Sequence, residues 1–196
     1  MPLPNLKTIA PSATVTINSL ALQKAKDGLR VYNLSAGEPV MNTAKYMKAA
    51  VDLAMENGKV LYPPTAGIDE LRVSACYWMN DLYGTYYQKA DVMVTCGGKF
   101  GISLLLQSLL ESGDEVMVIA PYWVSYPTMV RLFGGQPVIL RTEEKDDWKI
   151  SPASLARAST EKTKLLILNN GSNPTGAIYT KEELQAILEV ARAKNI

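Results

Sequence analysis

Hydrophobic residues three and four positions apart predict two amphipathic helices early in the chain. One pattern runs between Thr43 and Gly58, and a second covers residues 68–83 and stops at Gly84. The first has one apolar face, made by Met47, Ala50, Val51, Ala54 and Met55. This spacing is typical of a helix with one buried side. We expect Thr43 to be the N-cap of the first helix and Gly58 its C-terminal stop.

The residues before these helices have a different pattern. Residues 1–15 are rich in proline, serine and threonine, and we expect an extended arm there. A helical stretch follows over residues 17–28, closed by Gly28.

From about residue 91 onward, short apolar runs alternate with helical patterns, which predicts βαβ units and a mostly parallel sheet. The expected strands cover residues 91–95, 115–120, 137–141 and 164–169. The expected helices cover residues 99–112, 124–133, 152–158 and 181–194. Thr180 and Glu183 have the spacing of a capping box before the last helix. Ligands of such sheets bind at the carboxyl ends of the strands, so the loops that follow strands become the candidate sites.

The amino-acid composition excludes several classes of functional site. The 196-residue chain has 20 basic and 19 acidic residues, which gives no support for a nucleic-acid partner. It has no histidine, so histidine-based triads and histidine-ligated zinc are excluded, and we expect no metal site. Cys76 and Cys96 are not in a CxxC pattern and are expected to be reduced thiols. No run suits a membrane span or a signal peptide, and we expect a cytoplasmic protein.

The loop Thr95-Cys96-Gly97-Gly98-Lys99 links a predicted strand to a predicted helix. Two glycines allow main-chain N–H groups to approach a ligand, and a helix N-terminus favours an anion, so this loop is a candidate phosphate site. It is not a Walker loop, since Phe100 follows Lys99 where serine or threonine is required. A plain Gly-Gly turn is the alternative.

Two further loops follow predicted strands. In residues 169–176, Asn173 stands before Pro174, which restricts its backbone and makes the Asn173–Pro174 bond a candidate cis peptide. A generic polar turn is the alternative. Residues 121–127 contain three aromatic side chains that could stack on a flat ring, and core filling is the alternative there.

Taken together, these segments resemble the fold-type I pyridoxal-phosphate aminotransferases, in particular the class I group with the bacterial aspartate aminotransferases. The order and spacing of several motifs carry the resemblance across nearly the whole chain. They are Leu34-Ser35-Ala36-Gly37-Glu38-Pro39, Tyr62-Pro63-Pro64-Thr65-Ala66-Gly67-Ile68 with Leu71-Arg72, Gly97-Gly98-Lys99, Gly113-Asp114-Glu115-Val116, Pro121-Tyr122-Trp123-Val124-Ser125-Tyr126-Pro127 and Asn173-Pro174-Thr175-Gly176.

The resemblance implies an α/β three-layer sandwich and roles for individual residues. Gly98 and Lys99 would hold the phosphate of pyridoxal 5'-phosphate through their main chain. Trp123 would stack on the pyridine ring, and Asn173 would hydrogen-bond the phenolic oxygen; both would also lie against the substrate. Gly37 would lie near the substrate carboxylate. Tyr62 would reach the cofactor phosphate of a neighbouring subunit, which implies a homodimer.

The chain departs from the family in two respects. Relatives commonly have Asn-Ser-Pro-Asn before Asn-Pro-Thr-Gly, whereas this chain has Asn169-Asn170-Gly171-Ser172. The lysine that bonds covalently to the cofactor follows this motif in the family, and no lysine here has its context, so no catalytic residue is assigned. The sequence resembles the N-terminal portion of the enzyme, with the sheet only partly represented. We expect it to be inactive alone, and the first strand, near residues 92–95, to lack a neighbour.

The resemblance implies two regions and a reaction. Residues 1–40 would form the N-terminal arm and part of a small domain, and residues 41–196 the first half of the large cofactor-binding domain. The enzyme would move an amino group between an amino acid, expected to be aspartate, and a 2-oxo acid. The alternatives are another aminotransferase or a lyase on the same scaffold, a non-catalytic binding module, and an unrelated α/β domain.

Overall fold

A computed structural model of the chain describes residues 9, 11–35, 37, 41–59 and 61–196. The described residues form two compact units. One lies within residues 37–102, and the other contains residues 103–196 with the described residues before 37.

The helices and strands follow the sequence-predicted order, with one strand missing. The helices are α1 (Ala13–Lys26), α2 (Lys45–Glu56), α3 (Asp69–Tyr83), α4 (Gly98–Leu109), α5 (Ser125–Leu132), α6 (Pro152–Ala158) and α7 (Lys181–Ala193). The strands are β1 (Glu115–Ala120), β2 (Gln136–Arg141) and β3 (Thr163–Ile167). The Thr180–Glu183 capping box is confirmed: the Thr180 hydroxyl accepts from the Glu183 N–H, and the Glu183 carboxylate accepts from the Thr180 N–H.

The three strands form one parallel sheet in the order β2-β1-β3. In register, Glu115 of β1 lies opposite Gln136 of β2 and Ala120 opposite Arg141. An irregularity between Glu115 and Val116 shifts the pairing with β3. The carboxyl ends of all three strands therefore lie on one edge of the sheet, as parallel pairing requires.

Both faces of the central strand are buried. Met117 packs in a core with Leu140, Leu155, Ile187 and Ala191, so that α6 and α7 cover this face. Val116 and Val118 point to the opposite face by strand alternation and are also fully buried. There α5 packs against β1 and β2. Helices on both faces of a parallel sheet form the three-layer arrangement that was expected.

The predicted strand over residues 91–95 is wrong. Asp91 ends a short 3-10 turn that starts at Lys89, and residues 92–95 follow without regular structure. Among the described residues, the sheet offers this segment no partner strand. The Val94 N–H donates instead to the carbonyl of Ala66, at 2.9 Å. An apolar run becomes a strand only when a neighbour accepts its hydrogen bonds.

Two details at the start of the chain also differ from prediction. The N-cap of α2 is Ala44, without a side-chain cap, rather than Thr43, because the Ala44 carbonyl already accepts from the Met47 N–H. The predicted arm over residues 1–15 is wrong from Ala13 onward, where α1 begins. Residues 1–8 and residue 10 lie outside the described part of the chain.

The apolar face of α2 is exposed, although the periodicity predicted a buried one. Met47, Val51 and Met55 are each more than half exposed, and none of the α2 residues is buried. Periodicity therefore located the helix correctly, while its expected burial is not found within the described residues.

No helix in the described part of the chain has the length and apolar character needed to cross a membrane.

Candidate active site

Two sequence-predicted loops come together at the carboxyl edge of the sheet. One follows β1 and carries Trp123, and the other follows β3 and carries Asn173. Because β1 and β3 are parallel neighbours, both loops leave the same edge. A small cavity between them is lined from the first loop by Tyr122 and Tyr126 and from the second by Asn169, Ser172 and Asn173.

The aromatic loop is held by its own ring contacts. The rings of Trp123 and Tyr126 pack edge to face, with centroids 5.3 Å apart and planes at 88°. Both residues are half-buried, and burial raises the pKa of the Tyr126 hydroxyl above its ordinary value. The Ala120–Pro121 peptide bond at the start of this loop is cis. The edge-to-face contact restrains the half-buried indole at the start of this loop.

Thr142 ties the ends of two strands together. It follows β2, and its hydroxyl donates to the carbonyl of Ala120, the last residue of β1, at 2.5 Å. Thr142 was not predicted from the sequence, because a threonine after a strand carries no distinctive signal. The bond fixes the point at which the aromatic loop begins.

The Asn173 loop is built on its own hydrogen bonds. The N–H groups of Gly171 and Ser172 donate to the Ala177 carbonyl, both at 3.1 Å, and the Gly176 N–H donates to the Ser172 carbonyl at 2.6 Å. The Asn173 N–H donates to Asn169 Oδ1 at 3.1 Å. The Asn173–Pro174 bond is cis, as the sequence suggested. These contacts leave Asn173 exposed at the sheet edge.

Tyr179 connects this loop to the core and was missed by sequence reasoning. Its N–H donates to Asn170 Oδ1 at 2.7 Å, and its hydroxyl accepts from the buried Ile150 N–H at 2.9 Å. The side chain is 5% exposed, and burial raises its pKa, partly offset by the Ile150 hydrogen bond. A tyrosine shortly after a glycine turn is typical of core filling, so only the structure reveals its two polar contacts.

The glycine loop belongs to the other compact unit. Gly98 is the first residue of α4, and Gly97 before it has a φ of +85°. A Cβ added at either glycine would meet nothing within 4 Å, so the main chain here is open to approach. The first N–H groups of a helix have no partner within the helix, which favours an anion at such a position. Lys99 follows in the first turn and is exposed.

Arg72 holds the segment that leads to the glycine loop. Its guanidinium donates to the carbonyl of Val92 at 2.8 Å and to the carbonyl of Lys89 at 2.6 Å. Asp69 lies 3.6 Å from Arg72 and 2.7 Å from the Lys89 ammonium. The contact to Lys89 lowers the pKa of the Asp69 carboxyl. An arginine with planar, fixed donors suits such a main-chain clamp.

Gly37 and Tyr62 lie in the same unit as the glycine loop. Tyr62 is fully exposed, and a Cβ at Gly37 would meet nothing within 4 Å. The six predicted site residues thus fall into two groups. Gly37, Tyr62, Gly98 and Lys99 belong to one compact unit, while Trp123 and Asn173 belong to the other.

The sheet is parallel, and the loops that carry Trp123 and Asn173 leave its carboxyl edge. The comparisons with known proteins identify the class. The chain belongs to the family of class I and II aminotransferases, whose sequence pattern it matches over residues 30–196.

Individual relatives agree with this assignment. The chain is 41% identical over 186 residues to the probable aspartate/prephenate aminotransferase of Thermus aquaticus, covering 95% of this chain and 49% of that protein. It is also 41% identical to the aspartate aminotransferase of Geobacillus stearothermophilus, covering 96% of this chain and 48% of that protein. The chain therefore spans about half the length of the curated relatives it matches.

Solved structures confirm the fold. The aspartate aminotransferase from Thermus thermophilus with maleate matches with a TM-score of 0.95 and 39% identity, covering 97% of this chain and 50% of that one. The aspartate aminotransferase from Rhizobium meliloti matches with a TM-score of 0.90 and 29% identity, covering 97% of this chain and 48% of that one. The predicted fold class and family are confirmed.

Proposed function

We propose that these residues form the cofactor-binding part of an aminotransferase that moves an amino group between aspartate and a 2-oxo acid. The observation that carries the proposal is the placement of Trp123 and Asn173 at the carboxyl edge of adjacent parallel strands, in a chain of this family. In such a reaction, aspartate gives up its amino group and becomes oxaloacetate, while the 2-oxo acid becomes the new amino acid.

Pyridoxal 5'-phosphate is the cofactor of the family, and the described residues suit its chemical groups. The open main chain at Gly97 and Gly98 suits its phosphate, and Lys99 lies in the same helix turn. The half-buried indole of Trp123 suits the flat ring, and the exposed amide of Asn173 suits a hydrogen bond to the phenolic oxygen. When bound, the cofactor acts as an electron sink for the substrate and carries the amino group.

Substrate contacts and assembly are proposals of the same kind. Gly37 leaves room for the substrate carboxylate, and Trp123 and Asn173 border the substrate as well as the cofactor. Tyr62 is fully exposed, as a residue that reaches the cofactor phosphate of a second subunit must be, and we propose a homodimer. Residues 41–196 would form the first half of the large domain, after an arm and a small-domain contribution from residues 1–40. The thiols of Cys76 and Cys96 suit a cytoplasmic location.

The names of the relatives favour aspartate as the donor. One protein 40% identical to this chain is named an aspartate/prephenate aminotransferase. Another, 41% identical, is named a probable aspartate/prephenate aminotransferase. Prephenate, itself a 2-oxo acid, is therefore the second acceptor to test.

Cofactor titration of the complete protein that carries these residues tests the assignment of Trp123 and Asn173. We expect Trp123→Ala to weaken binding of pyridoxal 5'-phosphate by about 2- to 13-fold through loss of stacking. We expect a similar loss for Asn173→Ala, through one hydrogen bond. Absorbance of the bound cofactor gives the dissociation constants.

Trp78→Ala is the matched control, since Trp78 also packs edge to face on a tyrosine, Tyr83, at 5.8 Å, but in α3. It should leave cofactor affinity unchanged. Unchanged affinity in both the Trp123 and the Asn173 variants would contradict the proposed site.

A further inference from the structure

We infer that Asn169 is a positioning residue, whose side-chain oxygen holds the main chain of Asn173 where its amide meets the cofactor. The inference rests on the proposed function, in which Asn173 binds the phenolic oxygen of pyridoxal 5'-phosphate. It assigns a role to a residue that the sequence pattern left without one.

The direct contact is a side chain-to-main chain hydrogen bond. The Asn173 N–H donates to Asn169 Oδ1 at 3.1 Å. Asn169 is half-buried beside the end of β3, whereas Asn173 is exposed. Both residues line the same small cavity. The bond therefore connects the exposed amide to a residue anchored at the end of a sheet strand.

The other restraints of the loop act on different positions. The N–H groups of Gly171 and Ser172 are bound by the Ala177 carbonyl, and the Gly176 N–H by the Ser172 carbonyl. Gly171 has a φ of +76° and no side chain, so this position gains no rigidity from side-chain packing. Asn169 supplies the hydrogen bond on the N–H of Asn173 itself.

The neighbouring asparagine provides a matched comparison. Asn170 Oδ1 accepts from the Tyr179 N–H at 2.7 Å, so it makes the same type of bond from the next position to a different residue. A generic loosening of the loop would follow from loss of either bond. A specific effect on Asn173 would follow only from loss of the Asn169 bond.

The first test is hydrogen exchange, which needs no cofactor. In the complete protein, Asn169→Ala should speed exchange of the Asn173 amide by about 2- to 13-fold, the expected effect of losing one net hydrogen bond. Asn169→Asp retains an acceptor oxygen and should preserve slow exchange. Asn170→Ala should leave the Asn173 amide unchanged. Equal exchange rates in Asn169→Ala and the unmodified protein would overturn the inference.

The second test is cofactor affinity in a double-mutant cycle. Asn169→Ala should weaken pyridoxal 5'-phosphate binding by no more than Asn173→Ala does, about 2- to 13-fold, and Asn169→Asp should restore at least part of this loss. On the Asn173→Ala background, Asn169→Ala should have no further effect, because its action passes through Asn173. A full additional loss in the double variant, or an equal loss in Asn170→Ala, would overturn the inference.

The two experiments separate failure of the inference from failure of the proposed function. If Asn173→Ala weakens cofactor binding and Asn169→Ala does not, only the positioning role of Asn169 fails. If Asn173→Ala binds the cofactor normally, the proposed role of Asn173 fails, and the positioning role fails with it. In that case accelerated exchange in Asn169→Ala would show a purely local structural bond.

Discussion

At the scale of single residues, Gly67 is a position where this chain has little tolerance for change. Its φ is +98°, a conformation that side chains rarely adopt, and a Cβ there would lie 2.7 Å from Val94 Cγ2 and 2.8 Å from Val94 Cβ. The preceding carbonyl, of Ala66, accepts the Val94 N–H at 2.9 Å, which holds the two segments together. A change of the Val94 rotamer would move Cγ2 but not Cβ, because Cβ is fixed to the main chain that makes this bond.

We therefore predict that Gly67→Ala lowers the free energy of unfolding by about 2–5 kcal/mol, by combining left-handed strain with overpacking. Gly58→Ala is the control, because Gly58 has a φ of +67° and open space where a Cβ would lie. It should cost only about 1–2 kcal/mol. Urea denaturation of the complete protein measures both, and equal losses would refute the steric argument.

Residue types alone predicted part of this site. Their positions after strands made the loops of Asn173 and Trp123 candidates, while the roles of the two residues come from the family resemblance and stay predictions. Asn169, Thr142 and Tyr179 were not predicted, because their roles depend on which main-chain group their oxygen or N–H meets. Such partners are set by the path of the chain in space, which a single sequence does not display.

At the scale of elements, the predicted capping box of helix α7 also connects the helix to another part of the chain. Glu183 accepts the Thr180 N–H at 2.7 Å and forms an ion pair with Lys149 at 2.9 Å. The Lys149 hydrogen bond, followed by the Thr180 one, lowers the pKa of the Glu183 carboxyl below its ordinary value. The start of the helix is therefore linked to the segment before α6.

This predicts a pH-dependent contribution to stability. Because the folded pKa of Glu183 is lowered, its contribution is complete above the ordinary glutamate value of about 4.3 and is lost as pH falls through the folded pKa. We expect Glu183→Gln to be less stable than the unmodified protein near pH 7, and the difference to narrow as the pH falls below the ordinary glutamate value and through the folded pKa.

Urea midpoints across this pH range measure the effect. Glu182→Gln, in the same first turn, controls for removal of a negative charge near the helix N-terminus. The difference in stability between this variant and the unmodified protein should change less with pH. A Glu183→Gln difference that stays constant across the range would contradict the assigned ion pair.

The periodicity of apolar residues predicted a helix or strand correctly where the element that it packs against or pairs with lies close by in the sequence. Strand β1 was located with its full bounds, and α6 likewise. The segment 92–95 was not, because strand formation needs a neighbour and none of the described residues supplies one. Helix α2 is a similar case. Its apolar face was predicted correctly, but the face is exposed because none of the described residues buries it.

At the scale of the whole molecule, the chain carries a three-stranded parallel sheet with helices on both faces, and it spans about half of its curated relatives. The family and fold class were predictable from the order of motifs along the sequence. The roles of the candidate site residues stay predictions, and the division of these residues between two compact units emerges only in the structure. The transfer reaction is therefore a property to be tested on the complete protein.

The most direct test of the account is the half-reaction with L-aspartate. The purified complete protein, loaded with pyridoxal 5'-phosphate, should lose the absorbance of its aldehyde form on addition of L-aspartate and release oxaloacetate in an amount equal to the bound cofactor. A 2-oxo acid should then restore the spectrum, and D-aspartate should leave it unchanged. If the protein binds the cofactor, yet neither L-aspartate nor any other L-amino acid alters its spectrum, the assignment as an aminotransferase is wrong.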